Sequence, residues 1–207
     1  MAIVNKDMPY GFRPVKHLSG APYNGSTMRC YGKAGYGTAL YIGDPCESDG
    51  TGCPRGCCPS LVLQAAADAA EIGMIIVSVE PNVNQPMTVH RPASTERYIN
   101  CVVDPDVVYM IQGDSGGTVI GAITQVGSNA QYTQTANAAS AALGLSCAEL
   151  DVSDSSVDAS ANLWIMGIVN RENHNPLALH ADYLVLINTH VIGCGSGQGA
   201  IGRVTGV

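Results

Sequence analysis

Charged side chains are scarce in this 207-residue chain: Asp, Glu, Lys and Arg make up 13% of it, against roughly 25% in ordinary soluble domains. So little charge excludes a surface that is charged throughout. The exposed parts are either uncharged polar residues and glycine, or they meet other protein. Of the charge that exists, 17 acidic residues outnumber 10 basic ones, for a net charge of −7. That balance repels phosphate backbones and argues against a nucleic-acid role. Long apolar runs are missing too. "MIIVSV" and "LWIMGIV" fall far short of the ~20 residues that a bilayer-spanning helix needs. The opening "MAIVNKDMPYGF" lacks the basic-then-apolar pattern of a secretory signal, so synthesis in a cytoplasm is expected.

Helix signals are thin as well. Only the alanine-rich segments 64–71 and 135–143 suit short helices. What is abundant is turn punctuation, as at Asn24-Gly25, Gly43-Asp44-Pro45, Asp104-Pro105 and Asn175-Pro176. Between such turns lie short β-branched or apolar runs: "TALYI", "GMIIVSVE", "YINCVV", "VVYMIQG", "GTVIGAITQV", "LWIMGIVN" and "DYLVLINTHV". This rhythm predicts a mainly β protein, an antiparallel β-sandwich or a barrel, rather than βαβ units. Segment 43–60 is so dense in Gly, Pro and Cys that it reads as an irregular loop. Residues 151–161 read as a solvated acidic connection. The prolines of 1–30 and the glycines of 193–207 suit extended arms on either side of a domain spanning 31–192.

The stretch "GDSGG" at 113–117 spells the surroundings of the nucleophile in trypsin-like serine proteases. Ser115 would need an imidazole base and a buried carboxylate to orient it. In the trypsin-like order both precede the serine, and only His17 and His90 do so here. His17 has no matching context, and His90 comes too soon before Ser115 to complete a first barrel. The stretch therefore reads as a β-turn or hairpin loop. His174, His180 and His190 read as structural or surface residues, because the strand between 180 and 190 separates its ends. Asp151, Asp154 and Asp158 do not match a calcium loop. No site for a cofactor emerges.

The chain has eight cysteines. Cys101 and Cys147 sit in apolar contexts and read as small core residues. Cys46, Cys53, Cys57 and Cys58 leave three readings open: free thiols, a disulfide within the cluster, or a zinc site. Zinc fits least well, since no second knuckle follows.

Four segments, in order, carry a resemblance. They are "GFRPVKHL" with "LYIGDPC", "VDPDVVYMIQGD", "LWIMGIVN" and "DYLVLINTHV". They are similar to segments of the head decoration (cement) and minor capsid structural proteins of tailed bacteriophages. In that likeness the GDSGG falls where the family has an ordinary Gln-x-Asp-Gly turn, and the cysteine-rich loop has no counterpart. The resemblance implies a jelly-roll-like or sandwich fold and no enzymatic activity. It implies a virion protein on the outer face of the capsid, bound to the major capsid protein as a homo-oligomer, dimer or trimer. Another head or tail component is the alternative. The residues then expected to touch capsid or sister subunits are Tyr10, Phe12, Arg13, Val15, His17, Leu18 and Tyr23 in the first arm, with Ile201 and Val204 in the last.

Overall fold

The computed structural model describes residues 4–66, 71–116, 124–136, 138–153, 161–172 and 174–191. It is mainly β, with antiparallel sheets and a small barrel. The first sheet has five strands: β1 (Arg13–His17), β7 (Val107–Gln112), β12 (Asp182–Ile187), β11 (Leu163–Ile168) and β8 (Asn129–Ala130), in that spatial order. The closed barrel is formed by β2 (Met28–Gly32), β4 (Pro59–Leu63), β3 (Pro45–Gly52), β5 (Met74–Val79) and β6 (Arg97–Val102). A short pair, β9 (Tyr132–Gln134) with β10 (Ala148–Leu150), completes the strands.

The two-residue period of a strand explains how these parts share a core. Along β7, Val107, Tyr109 and Ile111 point to one side; along β12, Tyr183, Val185 and Ile187 do so. In β11 a bulge between Ile165 and Gly167 shifts the alternation, so that Leu163, Ile165 and then Ile168 meet that core. The barrel supplies the opposite wall. In β5, Ile75 and Val77 face the sheet while Met74 and Ile76 face the barrel interior, beside Cys30, Cys46, Leu61, Ile99 and Cys101. "MIIVSV" is apolar on both faces because both faces are covered.

Three expectations need correction. The segment 43–60 is not a loop throughout: 45–52 and 59–63 pair as an antiparallel hairpin, with Cys46 opposite Leu63 and Gly52 opposite Pro59. Its prolines lie at strand starts and at the tip, 53–58, and Gly50 (φ +75°) falls in the irregular stretch between Ser48 and Gly52 where the register shifts. "TALYI" forms only isolated bridges, Leu40 to Arg91 and Ile42 to Leu145. Residues 64–66, at the start of one supposed helix, are not helical; 67–70 lie outside the described residues. The other alanine-rich segment does contain a helix, α1 (Ala138–Ala142).

The amino-terminal segment is built into the body. Residues 13–17 are the edge strand β1, and Met28–Cys30 already belong to the barrel. Pro14 fits within β1 because an edge strand can spare an N–H. Immediately before β1, Gly11 (φ +70°) meets Gly43 (φ +94°), and the Phe12 N–H donates to the Gly43 carbonyl at 3.0 Å. A Cβ on Gly11 would stand 2.5 Å from that oxygen, so only glycine allows the approach.

Candidate functional site

Of the expected contact residues, Phe12 is inside. Its ring is 2% exposed and stands edge-on to Tyr109 and Tyr132. Tyr10 is half-buried, and its hydroxyl donates to Asp182 Oδ1 at 2.8 Å. Burial, followed by the Asp182 charge, raises the Tyr10 pKa far above the usual phenol range. The Arg13 guanidinium lies over the Tyr10 ring at 4.9 Å. His17 Nδ1 pairs with Asp104 at 3.3 Å, and Tyr23 leans on the core while its hydroxyl donates to the Ser26 carbonyl. Arg13, Val15 and Leu18 face solvent. Ile201 and Val204 lie outside the described residues, as does Cys194.

Ser115 is exposed. The main chain on either side of it is tied to its neighbours: Gly113 N–H donates to Ala181, and Asp114 N–H to Leu150. The Asp114 carboxylate accepts the Val152 N–H. His17 pairs with Val107 at the far end of β7, about 17 Å along the strand from Gln112 at 3.4 Å per residue. His90 stacks on Tyr41 with ring centroids 4.8 Å apart. His17 is therefore out of reach of this serine, and the contact recorded for the His90 ring is with Tyr41. The stretch does not form a hairpin with Thr124–Val126, which lie in a helical turn and the turn after it; residues 117–123 lie outside the described residues.

The cysteines fall into two groups. Cys46 is buried in the barrel interior beside Cys30 and Cys101, at the opposite end of β3 from the tip. That strand carries it out of the reach of a bond to Cys53 or Cys57, since disulfides need Cα atoms within ~7 Å. Cys101 is a core residue as expected, whereas Cys147 is only half-buried. At the tip, the Cys53, Cys57 and Cys58 Sγ atoms all lie within 4.8 Å of one another, and Cys53 and Cys57 are 3.2 Å apart. Cys53 and Cys58 are buried over Tyr31 and Tyr98; Cys57 is exposed. Hydrogen bonding from Cys57, assisted by the Cys57 and Arg55 N–H groups, lowers the Cys53 thiol to about 6. Burial, and then Cys53 itself, pushes the Cys58 thiol up to about 12.

The three downstream histidines serve separate places. His174 Nε2 accepts the Asp182 N–H, His190 is buried, and His180 adopts φ +56°. His180 also joins Asp7 and Glu149 in a cluster whose ligand atoms lie within 4.8 Å, a set able to hold a cation. Sequence reading missed this cluster, because its members come from three distant segments. The Gln112 side chain brings two of them together: it accepts the Met8 N–H and donates to the Lys6 and His180 carbonyls. Burial, followed by the charges of Asp7 and Asp114, pushes Glu149 up to about 7. Asp151 accepts hydrogen bonds from Ser153; Asp154 and Asp158 lie outside the described residues.

Beside the barrel a cleft of about 460 Å³ is lined by Tyr41, Leu63 of β4, Gln134 of β9, Ala141 of α1 and Cys147, with Asp44 among its walls. No helix among the described residues is long and apolar enough to cross a membrane. No family model, no curated protein and no solved structure matches this chain.

Proposed function

We propose that this chain is a non-enzymatic structural protein of a tailed-phage virion, which binds the shell of major capsid protein and stabilises the head. One observation carries the reading: the resemblant segments, scattered along the sequence, occupy one contiguous unit of the fold. They supply β1, β7, β12 and β11, four neighbours in a single sheet, and the Gly43 turn is bonded directly to Phe12. Motifs that come together in space mark a shared architecture more strongly than motifs that merely keep their order. In this reading the sheet and the barrel form a sandwich-like or jelly-roll-like body whose ends reach across neighbouring subunits.

The surface suits attachment. Val4 is 85% exposed, Val15 and Leu18 about 40%, and in the turn after β5 Val83 and Met87 are at least 90% exposed. Fully covering Val4, Val83 or Met87 gains up to ~1.5–3 kcal/mol each, and Val15 or Leu18 less than half of that; a shell repeats the contact in every copy. β1 lies at a sheet edge, the natural place for strand addition. Its outer side is capped in part, since the Tyr23 N–H donates to Val15 and the His17 N–H to Ala21.

The test is reconstitution. Heads lacking the protein are mixed with the wild type or with a Val15→Glu/Leu18→Glu variant, then sedimented. Saturation at the number of capsid subunits, or at a simple fraction of it, is expected for the wild type, with loss of attachment in the variant and an unchanged circular dichroism spectrum. Purified virions without the protein, or with only a few copies, overturn the assignment. Fluorophosphonate labelling that Ser115→Ala abolishes would overturn its non-enzymatic part.

A further inference from the structure

We propose that the tip of the β3–β4 hairpin is a thiolate metal site in which Cys53, Cys57 and Cys58 bind one zinc ion. The proposal is independent of the capsid reading and rests on the cradle itself.

Thiolates 2.3 Å from a tetrahedral zinc stand about 3.8 Å apart. In the hairpin tip the Cys53–Cys57 separation is 3.2 Å, and all three sulfurs fall within 4.8 Å. Zinc geometry lies inside that range, so changes in sulfur separation of about 1 Å or less bring the three to it. The backbone is already shaped for the purpose. The Cys53 N–H donates to the Cys58 carbonyl at 2.8 Å and the Gly56 N–H to the Cys53 carbonyl at 2.8 Å, with Gly56 at φ +65°. This turn aims the Cys57 N–H at the Cys53 sulfur, 3.3 Å away. Donors directed at a sulfur stabilise its anionic form, which is the form a metal takes. Tyr31 and Tyr98 pack beneath the tip and hold it against the barrel.

The surrounding charge fits a cluster of net negative charge. Three thiolates on Zn²⁺ leave one negative charge, and Arg29 lies close enough to Cys57 to interact with it electrostatically. Arg55 sits within the turn and, with Arg29 and Glu96, lines a cleft of about 400 Å³ beside the cluster. Arg29 is also paired with Glu80 at 2.6 Å, so Arg55 is the cation of that wall with no carboxylate partner recorded among the described residues. Among the described residues no fourth His, Cys, Asp or Glu atom joins the three. Cys57 is exposed, so the remaining coordination position opens to solvent and is taken by water. Binding releases the thiol protons that remain at the working pH.

A Cys53–Cys57 disulfide is the competing fate of the same atoms. It requires an oxidant, and it leaves Cys58 unpaired against the bond. A metal uses all three sulfurs.

The experiment uses the whole chain, reduced under argon, freed of metal with a chelator and titrated with Zn²⁺ against a chromophoric competitor. One ion per chain is expected. Co²⁺ in its place should give sulfur-to-cobalt charge-transfer absorption and intense tetrahedral bands. Cys53→Ser, Cys57→Ser and Cys58→Ser should each weaken binding by more than about 100-fold, beyond what changes outside the ligand shell produce. Cys46→Ser and Cys147→Ser should leave it unchanged. Cys57 is exposed, so its serine variant tests the ligand without disturbing the fold. The proposal is overturned if the reduced wild type binds no more Zn²⁺ than the triple serine variant. It is equally overturned if a 53–57 disulfide forms to completion in air with equimolar Zn²⁺ present.

Discussion

Gly11 and Gly43 meet backbone to backbone, and this contact joins the amino-terminal segment to the first turn of the barrel. A Cβ on Gly43 would stand 2.4 Å from the Tyr10 carbonyl oxygen, and its φ of +94° already excludes ordinary side chains. Gly43→Ala is therefore expected to cost at least about 2 kcal/mol, strain and clash together. Gly20 has a similar φ, +91°, with open space around its Cβ position, so Gly20→Ala should lose only ~1 kcal/mol of strain. Urea denaturation of the pair measures the clash by difference; equal losses would show that the close contact contributes nothing.

Phe12, one residue on, decides what the amino-terminal segment does in the free protein. Its centroid lies 5.9 Å from that of Tyr109 and 5.8 Å from that of Tyr132, with interplanar angles of 87° and 77°. Phe12→Ala should destabilise the fold by about 3–5 kcal/mol. Leu18→Ala, at a half-open surface position, should stay within about 0.5 kcal/mol. Thermal melts of the two variants compare them directly. Deleting 1–25 outright would remove β1 and this ring together, so attachment is better probed with single surface changes.

The sequence displayed β5, β6, β7, β11 and β12 openly, because each is a run of apolar or β-branched residues with both faces, or one full face, covered. It hid β3 and β4, because "PCESDGTG" carries none of that signal and gains its register from pairing with "PSLVL" on one side and with β5 on the other. Phe12 was legible as apolar but not as core; a proline-rich context looks the same whether an edge strand or a free arm uses it. The Cys53–Cys58 cluster showed in its spacing, though not the separation from Cys46, which depends on where the hairpin turns. Nothing local marks Asp7, Glu149 and His180 as neighbours. The meeting of the first and last depends on Gln112, at the end of β7, which bonds both the 6–8 segment and His180.

Arg91 is fully buried, and no carboxylate among the described residues pairs with it. Instead its guanidinium donates to the carbonyls of Lys33, Tyr36, Thr38 and Thr95, with the Tyr36 ring 5.4 Å away. The fork of donors thus organises the 33–38 connection, which has little regular pairing of its own. Arg91→Met should cost at least about 2 kcal/mol, since the Thr38 and Thr95 carbonyls lose their donor at about 1–3 kcal/mol each, whereas Lys33 and Tyr36 keep the N–H groups of Tyr36 and Ser94. Arg91→Lys should recover only part of the loss, because an ammonium lacks the planar fork. Trp164 lies in the five-stranded sheet, remote in the fold from this connection. Its fluorescence and the far-ultraviolet circular dichroism should therefore be followed together. Coincident transitions would mean that barrel and sheet unfold as one unit, and split transitions that Arg91 stabilises the barrel alone.

Asp44 gives the fold a specific pH dependence. Its carboxyl group is 2% exposed; Oδ2 accepts the Tyr41 N–H at 2.7 Å and Oδ1 accepts the Gln134 amide at 3.2 Å. Burial outweighs these bonds and raises the pKa from 3.8 to about 6. Below the unfolded value both states hold the proton and the contribution to stability is complete. As pH rises from there toward the folded value, the unfolded chain ionises first, so the contribution is lost progressively and is gone above about 6. The whole change is of order 3 kcal/mol, at 1.36 kcal/mol per pKa unit. Asp44→Asn keeps the shape and cannot ionise. The stability of the variant relative to wild type should therefore increase between pH 4 and pH 7 and level off above that. Urea midpoints at four pH values across the window measure it. A relative stability that stays flat, or falls with pH, would mean that Asp44 is ionised in the folded protein throughout and that its hydrogen bonds from Tyr41, Gln134 and Ser146 outweigh its burial.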